Sequence, residues 1–335
     1  MSNPTDIRAT RFVRPGSGWG EIGRQLISAA DSTGGRREPS VLPAGAPNDV
    51  LTRVAAELGP RELATHGIGE SAALEYMARI VHDYGLNLTD STYAAHLQPP
   101  PLSVAVAADA LASATNASLD TYDSGPATLA IETWAVDVLA RLAGLPETAG
   151  GVFGPGGSYS NLLALLIARD QAGAARGLDI RHDGVAALGS PVVLCSRVAH
   201  FSVQRACAAL GLGESAVITV DCDEQHRMLP SALEAILADP GVDPATGATR
   251  TPFAVIATAG TTDFGTIDPL PEIAEIARRY GLWMHVDAAY GFGALFSDRL
   301  SGLLDGIALA DSIALDLHKV GWQPAAASLL LLADT

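Results

Sequence analysis

"FAVIATAGTTDFGTIDPLPEIAEIARRYGLWMHVDAA", residues 253–289, carries the pattern that decides the fold. Two short runs, "FAVIATA" and "LWMHVDAA", are almost wholly apolar. Between them, "LPEIAEIARRYG" places apolar residues at three- and four-residue spacing with charges between, the pattern of an amphipathic helix. A strand without polar alternation is covered on both faces. Two such strands joined by a helix form a crossover unit of a parallel sheet.

The pattern continues on both sides. Further apolar runs are "PVVLCS" (191–196), "SAVITVD" (215–221), "DSIALD" (311–316) and "ASLLLLA" (327–333). Helical stretches separate them: "SNLLALLIARDQAG" (160–173), "SVQRACAALG" (202–211) and "PSALEAILAD" (230–239). This predicts an α/β domain with a mostly parallel sheet and helices on both faces. Upstream, "DVLTRVAAEL" (49–58), "SAALEYMARIVHDYG" (71–85), "LSVAVAADALASATNAS" (102–118) and "ATLAIETWAVDVLARLAGL" (127–145) read as helices. "HLQPPPL" (96–102) breaks the chain, because three consecutive prolines cannot continue a helix. Residues 1–48, rich in Gly, Pro, Ser and Arg, predict short helices and irregular chain. The expected division is therefore a helical and irregular segment over 1–98 and a ligand-binding domain over 99–335.

Composition narrows the partners. A net charge of −16 argues against nucleic acid and anionic membrane surfaces, which attract basic patches. No run of eighteen apolar residues and no basic-then-apolar start is present, so the expected location is cytoplasmic. Cys195, Cys207 and Cys222 form no CxxC pair, so neither a disulfide framework nor a structural zinc site is expected.

In open α/β sheets ligands bind beyond the carboxyl ends of the strands. "PVVLCS" is followed there by His200, "FAVIATA" by Gly260, Thr261 and Thr262, "LWMHV" by Asp287, Ala289 and Tyr290, and "DSIAL" by Asp316, His318 and Lys319. Lys319 is the chain's one lysine; the other twenty basic residues are arginines. Arginine replaces lysine as a surface cation but cannot be deprotonated, so it cannot serve as an amine nucleophile. "GPGGSYSN" (154–161) adds Gly156, Gly157 and Ser158 before a helix. It is either a cradle for an anion at a positive helix end or a flexible loop with Ser158 as N-cap. A phosphate cradle, a carboxylate, a flat histidine and a lone amine together describe a site for pyridoxal phosphate. That cofactor needs an amine for its aldehyde and a carboxylate at its pyridine nitrogen.

"HVDAAYG" and "DLHK", supported by "ATAGTTDFGTIDPL" and "AHFSVQRACAALGLG", resemble the pyridoxal-phosphate-dependent group II amino acid decarboxylases. Upstream, "YAAHLQPPP" and "NASLDTYD" resemble the bacterial 2,4-diaminobutyrate and lysine decarboxylases. The similarity runs from about Tyr93 onward. It implies an aminotransferase-like fold type I large domain with a seven-stranded sheet, and a homodimer formed through the N-terminal helices. It implies decarboxylation of an L-amino acid to the amine and carbon dioxide. Lys319 would carry the cofactor, Asp287 would pair with the ring nitrogen and His200 would stack on the ring. Gly157 and Ser158 would hold the phosphate, and Thr262, Ala289, Asp316 and His318 would line the site. The family's small C-terminal domain is expected to be absent, because sixteen residues follow Lys319. Departures such as Gly154-Pro155, Tyr159 and Val320-Gly321 leave the substrate open. Another reaction of the same scaffold (transamination, carbon–sulfur cleavage or aldehyde formation) stays open beside decarboxylation, and the short stretch after Lys319 favours a truncated chain that binds the cofactor, or pairs with another subunit, with little turnover.

Overall fold

The computed structural model describes residues 18–34, 40–62, 65–94 and 97–334. By contacts the chain divides into two units, residues 1–95 with 111–115, and residues 96–110 with 116–335.

In the first unit, helices α1 (Trp19–Ser32), α2 (Pro47–Leu58) and α3 (Glu70–Tyr84) are ordered by apolar spacing. Ser28 Oγ on α1 donates to Glu75 Oε1 on α3 at 2.6 Å. A helix before residue 48 agrees with the expectation of short helices and irregular chain there, but at 14 residues α1 is longer than that expectation. Ile22, Leu26 and Ala29 keep a helical period that the flanking Gly- and Pro-rich chain obscures. The part of that expectation covering 1–17 and 35–39 lies outside the described residues.

Helices α4 (Ser103–Thr115) and α5 (Pro126–Leu142) follow. The second unit then builds a seven-stranded sheet from β1 (Gly150–Gly154), β2 (Ser190–Ser196), β3 (Val217–Val220), β4 (Arg250–Thr258), β5 (Trp283–Asp287), β6 (Ser312–Asp316) and β7 (Ser328–Leu332). The spatial order is β1-β7-β6-β5-β4-β2-β3. The five strands from β6 to β3 are parallel, whereas β7 runs antiparallel to both β6 and β1. Helices α6 (Gly157–Ala174), α7 (Ile180–Asp183), α8 (Ser202–Ala209), α9 (Pro230–Ala238), α10 (Leu270–Tyr280) and α11 (Leu317–Val320) connect the strands. Strand β1 goes beyond the strands expected from sequence. Its stretch "GGVFG" is mostly glycine, and pairing with the apolar β7 rather than its own propensity makes it a strand.

Helix α10 shows why these elements form. Leu270, Ile273, Ala274 and Ala277 recur on one face and are all buried. Pro271 sits in the first turn, where its missing N–H costs nothing, and Gly281 ends the helix at φ 67°, a left-handed conformation.

Alternate residues of each strand enter two cores. Leu194, Val255, Ala257, Met284, Val286, Ile313, Leu315, Leu329 and Leu331 face one way. Val193, Cys195, Ala254 and Ile256 face the other, against Leu165 and Ala168 of α6. The period of two therefore sends Trp283, His285 and Asp287, and likewise Ser312, Ala314 and Asp316, to the α6 side. Strands β5 and β6 are apolar on one face and largely polar and buried on the other.

Candidate active site

The carboxyl ends of β2, β4, β5 and β6 meet the N-terminus of α6 around a cavity of about 430 Å³. Its walls include all nine residues singled out from the sequence: Gly157, Ser158, His200, Thr262, Asp287, Ala289, Asp316, His318 and Lys319. Leu97, Asn161, Thr258 and Tyr290 also line it.

Lys319 stands on α11, just after β6. Its Nζ lies 3.1 Å from Asp316 Oδ2, and that carboxylate is almost fully buried. The pair places the amine at a defined point, while Asp316 Oδ1 has no hydrogen-bond partner among the described residues. His318 points its Nε2 toward the same carboxylate at 3.7 Å and its Nδ1 toward Ala327 O at 2.9 Å.

Asp287 ends β5. Its Oδ1 accepts from the Ala289 N–H at 3.1 Å and its Oδ2 from Asn161 Nδ2 at 2.8 Å. His200 follows β2, with Nδ1 2.9 Å from Ser202 Oγ. Burial pushes the His200 imidazole below the ordinary histidine range, and the nearby Asp287 charge opposes that shift. A neutral ring at neutral pH results, one that can lie against a flat apolar face.

Helix α6 opens onto the cavity without a cap. Its N-cap is Gly156, with no side-chain hydrogen bond, and Ser158 is already the second helical residue. The alternative in which Ser158 caps the helix is therefore corrected. An 18-residue helix begins here with N–H groups that have no carbonyl one turn back, at the positive end of its dipole. Gly157 keeps this end close to β6: a Cβ there would come 2.9 Å from Asp316 Oδ2 and 3.2 Å from Ala289 Cβ.

Asn161 carries no motif that sequence reasoning could use. It lies within a helical apolar run, and only packing brings it to Asp287. The nearest legible signal is its position one turn beyond the Gly156-Gly157 pair.

Comparison with known proteins places these observations. The pyridoxal-dependent decarboxylase conserved domain matches residues 78–335, a span that begins ahead of Tyr93, where the motif resemblance starts. L-2,4-diaminobutyrate decarboxylase of Rhizobium meliloti (strain 1021) is 43% identical over 268 residues, 80% of this chain and 51% of that protein. Human cysteine sulfinic acid decarboxylase is 39% identical over 231 residues, 69% of this chain and 45% of that protein. Among solved structures, the glutamate decarboxylase domain of diaminobutyrate-pyruvate transaminase and L-2,4-diaminobutyrate decarboxylase from Vibrio parahaemolyticus superposes with a TM-score of 0.86 at 31% identity. That match covers 97% of this chain and 70% of the other. The chain spans about half the length of the curated relatives it matches.

Proposed function

Since this chain belongs to the pyridoxal-dependent decarboxylase family, we propose that it takes part in removing the carboxylate of an L-amino acid, releasing the amine and carbon dioxide. One observation carries the reading. The sole lysine shares a cavity with a buried carboxylate, a neutral histidine and an uncapped helix end. The relatives named for L-2,4-diaminobutyrate support a diamino acid as the substrate.

The residues present fit pyridoxal 5'-phosphate. Asp316 Oδ1 and Thr258 Oγ1, on residues that line the cavity, are buried without hydrogen-bond partners among the described residues. Gly157 keeps clear the space beneath α6 that a side chain would enter. When bound, the cofactor supplies an aldehyde and a ring that takes up the electron pair left by the departing carboxylate. In this reading Lys319, positioned by Asp316, would hold the cofactor at its aldehyde through Nζ. Asp287, held by Asn161 and Ala289, keeps a proton on the ring nitrogen by charge attraction. His200 covers one face of the ring. The N–H groups of Gly157 and Ser158 receive the phosphate at the helix end. Thr262, Ala289 and His318 complete the walls.

The same reading includes a homodimer in the cytoplasm, with residues 1–98 at the contact and 99–335 holding the cofactor. Leu51 and Leu58 on α2, and Leu74, Met77 and Val81 on α3, are exposed and would gain from cover by a second copy. Among the described residues no helix is long and apolar enough to cross a membrane.

The test combines cofactor trapping with product analysis over a panel of amino acids that includes 2,4-diaminobutyrate, lysine, ornithine and glutamate. Borohydride is expected to fix one cofactor on the peptide that carries Lys319, and the panel is expected to yield an amine. Label on any other peptide, or a keto acid or aldehyde as the product, overturns the assignment. Sedimentation at micromolar concentration checks the dimer, and a folded monomer there counts against it.

A further inference from the structure

The polar face beneath α6 holds a run of hydrogen bonds of which the chemistry above uses only the bond from Asn161 to Asp287. Trp283 Nε1–H donates to Ser312 Oγ at 2.8 Å, and that oxygen lies 2.8 Å from His285 Nδ1. His285 Nε2 lies 3.0 Å from Asn161 Oδ1. Asn161 Nδ2 donates both to Asp287 Oδ2 at 2.8 Å and to Ser202 Oγ at 2.9 Å. Ser202 then meets His200 Nδ1 twice, through its hydroxyl at 2.9 Å and its backbone N–H at 3.3 Å. Asn161, Ser202, His285, Asp287 and Ser312 are all buried.

The direction of every proton in this run follows from its ends. A carboxylate only accepts and an indole N–H only donates. Asp287 therefore faces the Asn161 nitrogen, so the Asn161 oxygen faces His285, and His285 Nε2 must carry the proton. Burial holds His285 neutral, which leaves its Nδ1 bare to accept from the Ser312 hydroxyl. That hydroxyl accepts in turn from Trp283. On the other branch, the Ser202 oxygen accepts from Asn161 and gives its own proton to His200 Nδ1. A neutral His200 then carries its proton on Nε2.

We propose that Asn161 is a positioning residue for the reaction: its side-chain amide holds Asp287 with one N–H and, through Ser202, sets the tautomer of His200 with the other. The two groups assigned to the cofactor ring are thus oriented from one buried nitrogen, whose own orientation is fixed by His285, Ser312 and Trp283. The inference rests on the reading that Asp287 and His200 meet the ring. A side chain that merely satisfied buried polar groups would not need to join these two branches.

The test uses ¹⁵N-histidine-labelled protein without cofactor, then the same protein loaded with cofactor labelled at the ring nitrogen. His200→Gln and His285→Gln assign the two histidine signals. In the cofactor-free wild type both rings are expected as neutral Nε2–H tautomers. Ser202→Ala leaves only the 3.3 Å backbone N–H on His200 Nδ1, so it should admit a share of the other tautomer there and leave His285 unchanged. Asn161→Ala should admit it at His285 and, by freeing the Ser202 hydroxyl to turn, at His200 as well. In the loaded protein Asn161→Ala should move the ring-nitrogen signal toward its unprotonated position and weaken cofactor binding about 10- to 100-fold, the loss expected for a hydrogen bond to a charged group. Ser202→Ala should leave that nitrogen signal in place. Wild-type tautomers in both variants, or an unmoved ring-nitrogen signal in Asn161→Ala, overturn the inference. If Asn161→Ala does not fold, the same signals are read in Asn161→Ser, whose single short hydroxyl cannot replace the amide toward Asp287, Ser202 and His285 together. A wild type that binds no cofactor overturns the proposed function instead, while the histidine signals still decide the wiring.

Discussion

At Lys319 the partner of Asp316 and the proposed nucleophile are the same nitrogen, and a substitution can separate the two roles. Lys319→Arg keeps a cation within reach of Asp316 Oδ2, so its unfolding free energy is expected to stay within about 1 kcal/mol of wild type. The guanidinium cannot be deprotonated, so borohydride should fix no cofactor in this variant. Mass spectrometry of the reduced protein and a urea titration check the two halves; cofactor fixed in Lys319→Arg would show that another amine serves. At this scale the sequence is informative because rarity is visible in it. A lone lysine among arginines stands out, and Asp287, His200 and Asp316 follow from where strands end. Asn161 is not legible. A polar residue in "SYSNLLALL" reads as a solvated helix position, and its burial depends on the strand packed against it.

Helix α6 is positioned by a glycine rather than by a cap. A methyl group at Gly157 would meet the Asp316 carboxylate at 2.9 Å, displacing the partner of Lys319 and filling the end of the helix. Gly157→Ala is expected to lower cofactor affinity at least tenfold, roughly 1.4 kcal/mol. Titration of cofactor-free protein measures this, and unchanged affinity would remove the helix end from the site. Gly281, beyond α10, tests an element without chemistry. At φ 67° any Cβ is strained, so Gly281→Ala should cost about 1 kcal/mol in urea unfolding and leave cofactor binding alone. The apolar runs 191–196, 253–259, 282–289, 311–316 and 327–333 each contain strand residues, because continuous apolar sequence survives any choice of partner. Strand β1 does not show, since glycine has no strand propensity to read. Reading the strands as apolar throughout also misses the polar face of β5 and β6, where His285, Asp287, Ser312 and Asp316 sit buried.

Two buried groups give the whole molecule opposing responses to pH. Asp268 accepts from the Met228 and Thr258 N–H groups at 2.7 and 2.8 Å, yet burial pushes its carboxyl up to about 6. A carboxyl raised in the folded state contributes stability below its unfolded value near 3.8, and that contribution is lost as pH rises through about 6. His285 behaves oppositely. Burial depresses it, so its contribution is present at neutral pH and is lost as pH falls below the ordinary histidine range. Asp268→Asn cannot titrate, so between about pH 4 and 6.5 its stability should rise relative to wild type by roughly 2 kcal/mol. At the acid end of that range it should be less stable by about 1–3 kcal/mol, because an amide N–H faces a backbone N–H. Urea unfolding of both proteins across this range is the measurement. A constant difference would place the Asp268 titration outside it.

By itself the sequence determined the α/β class, the strand ends that carry polar residues, the single amine and the resemblance that the comparisons bear out. Each of these depends on local order: apolar period, chain punctuation and residue identity at a given offset. Only the tertiary structure decided that β7 runs antiparallel to β1 and β6, that Gly156 rather than Ser158 is the N-cap of α6, and that Asn161 joins Asp287 to Ser202. Those outcomes are set by which strand lies beside which and how closely a helix end approaches the sheet. They arise between residues far apart in the chain, as with Asn161 and Asp287, where no local pattern records the contact.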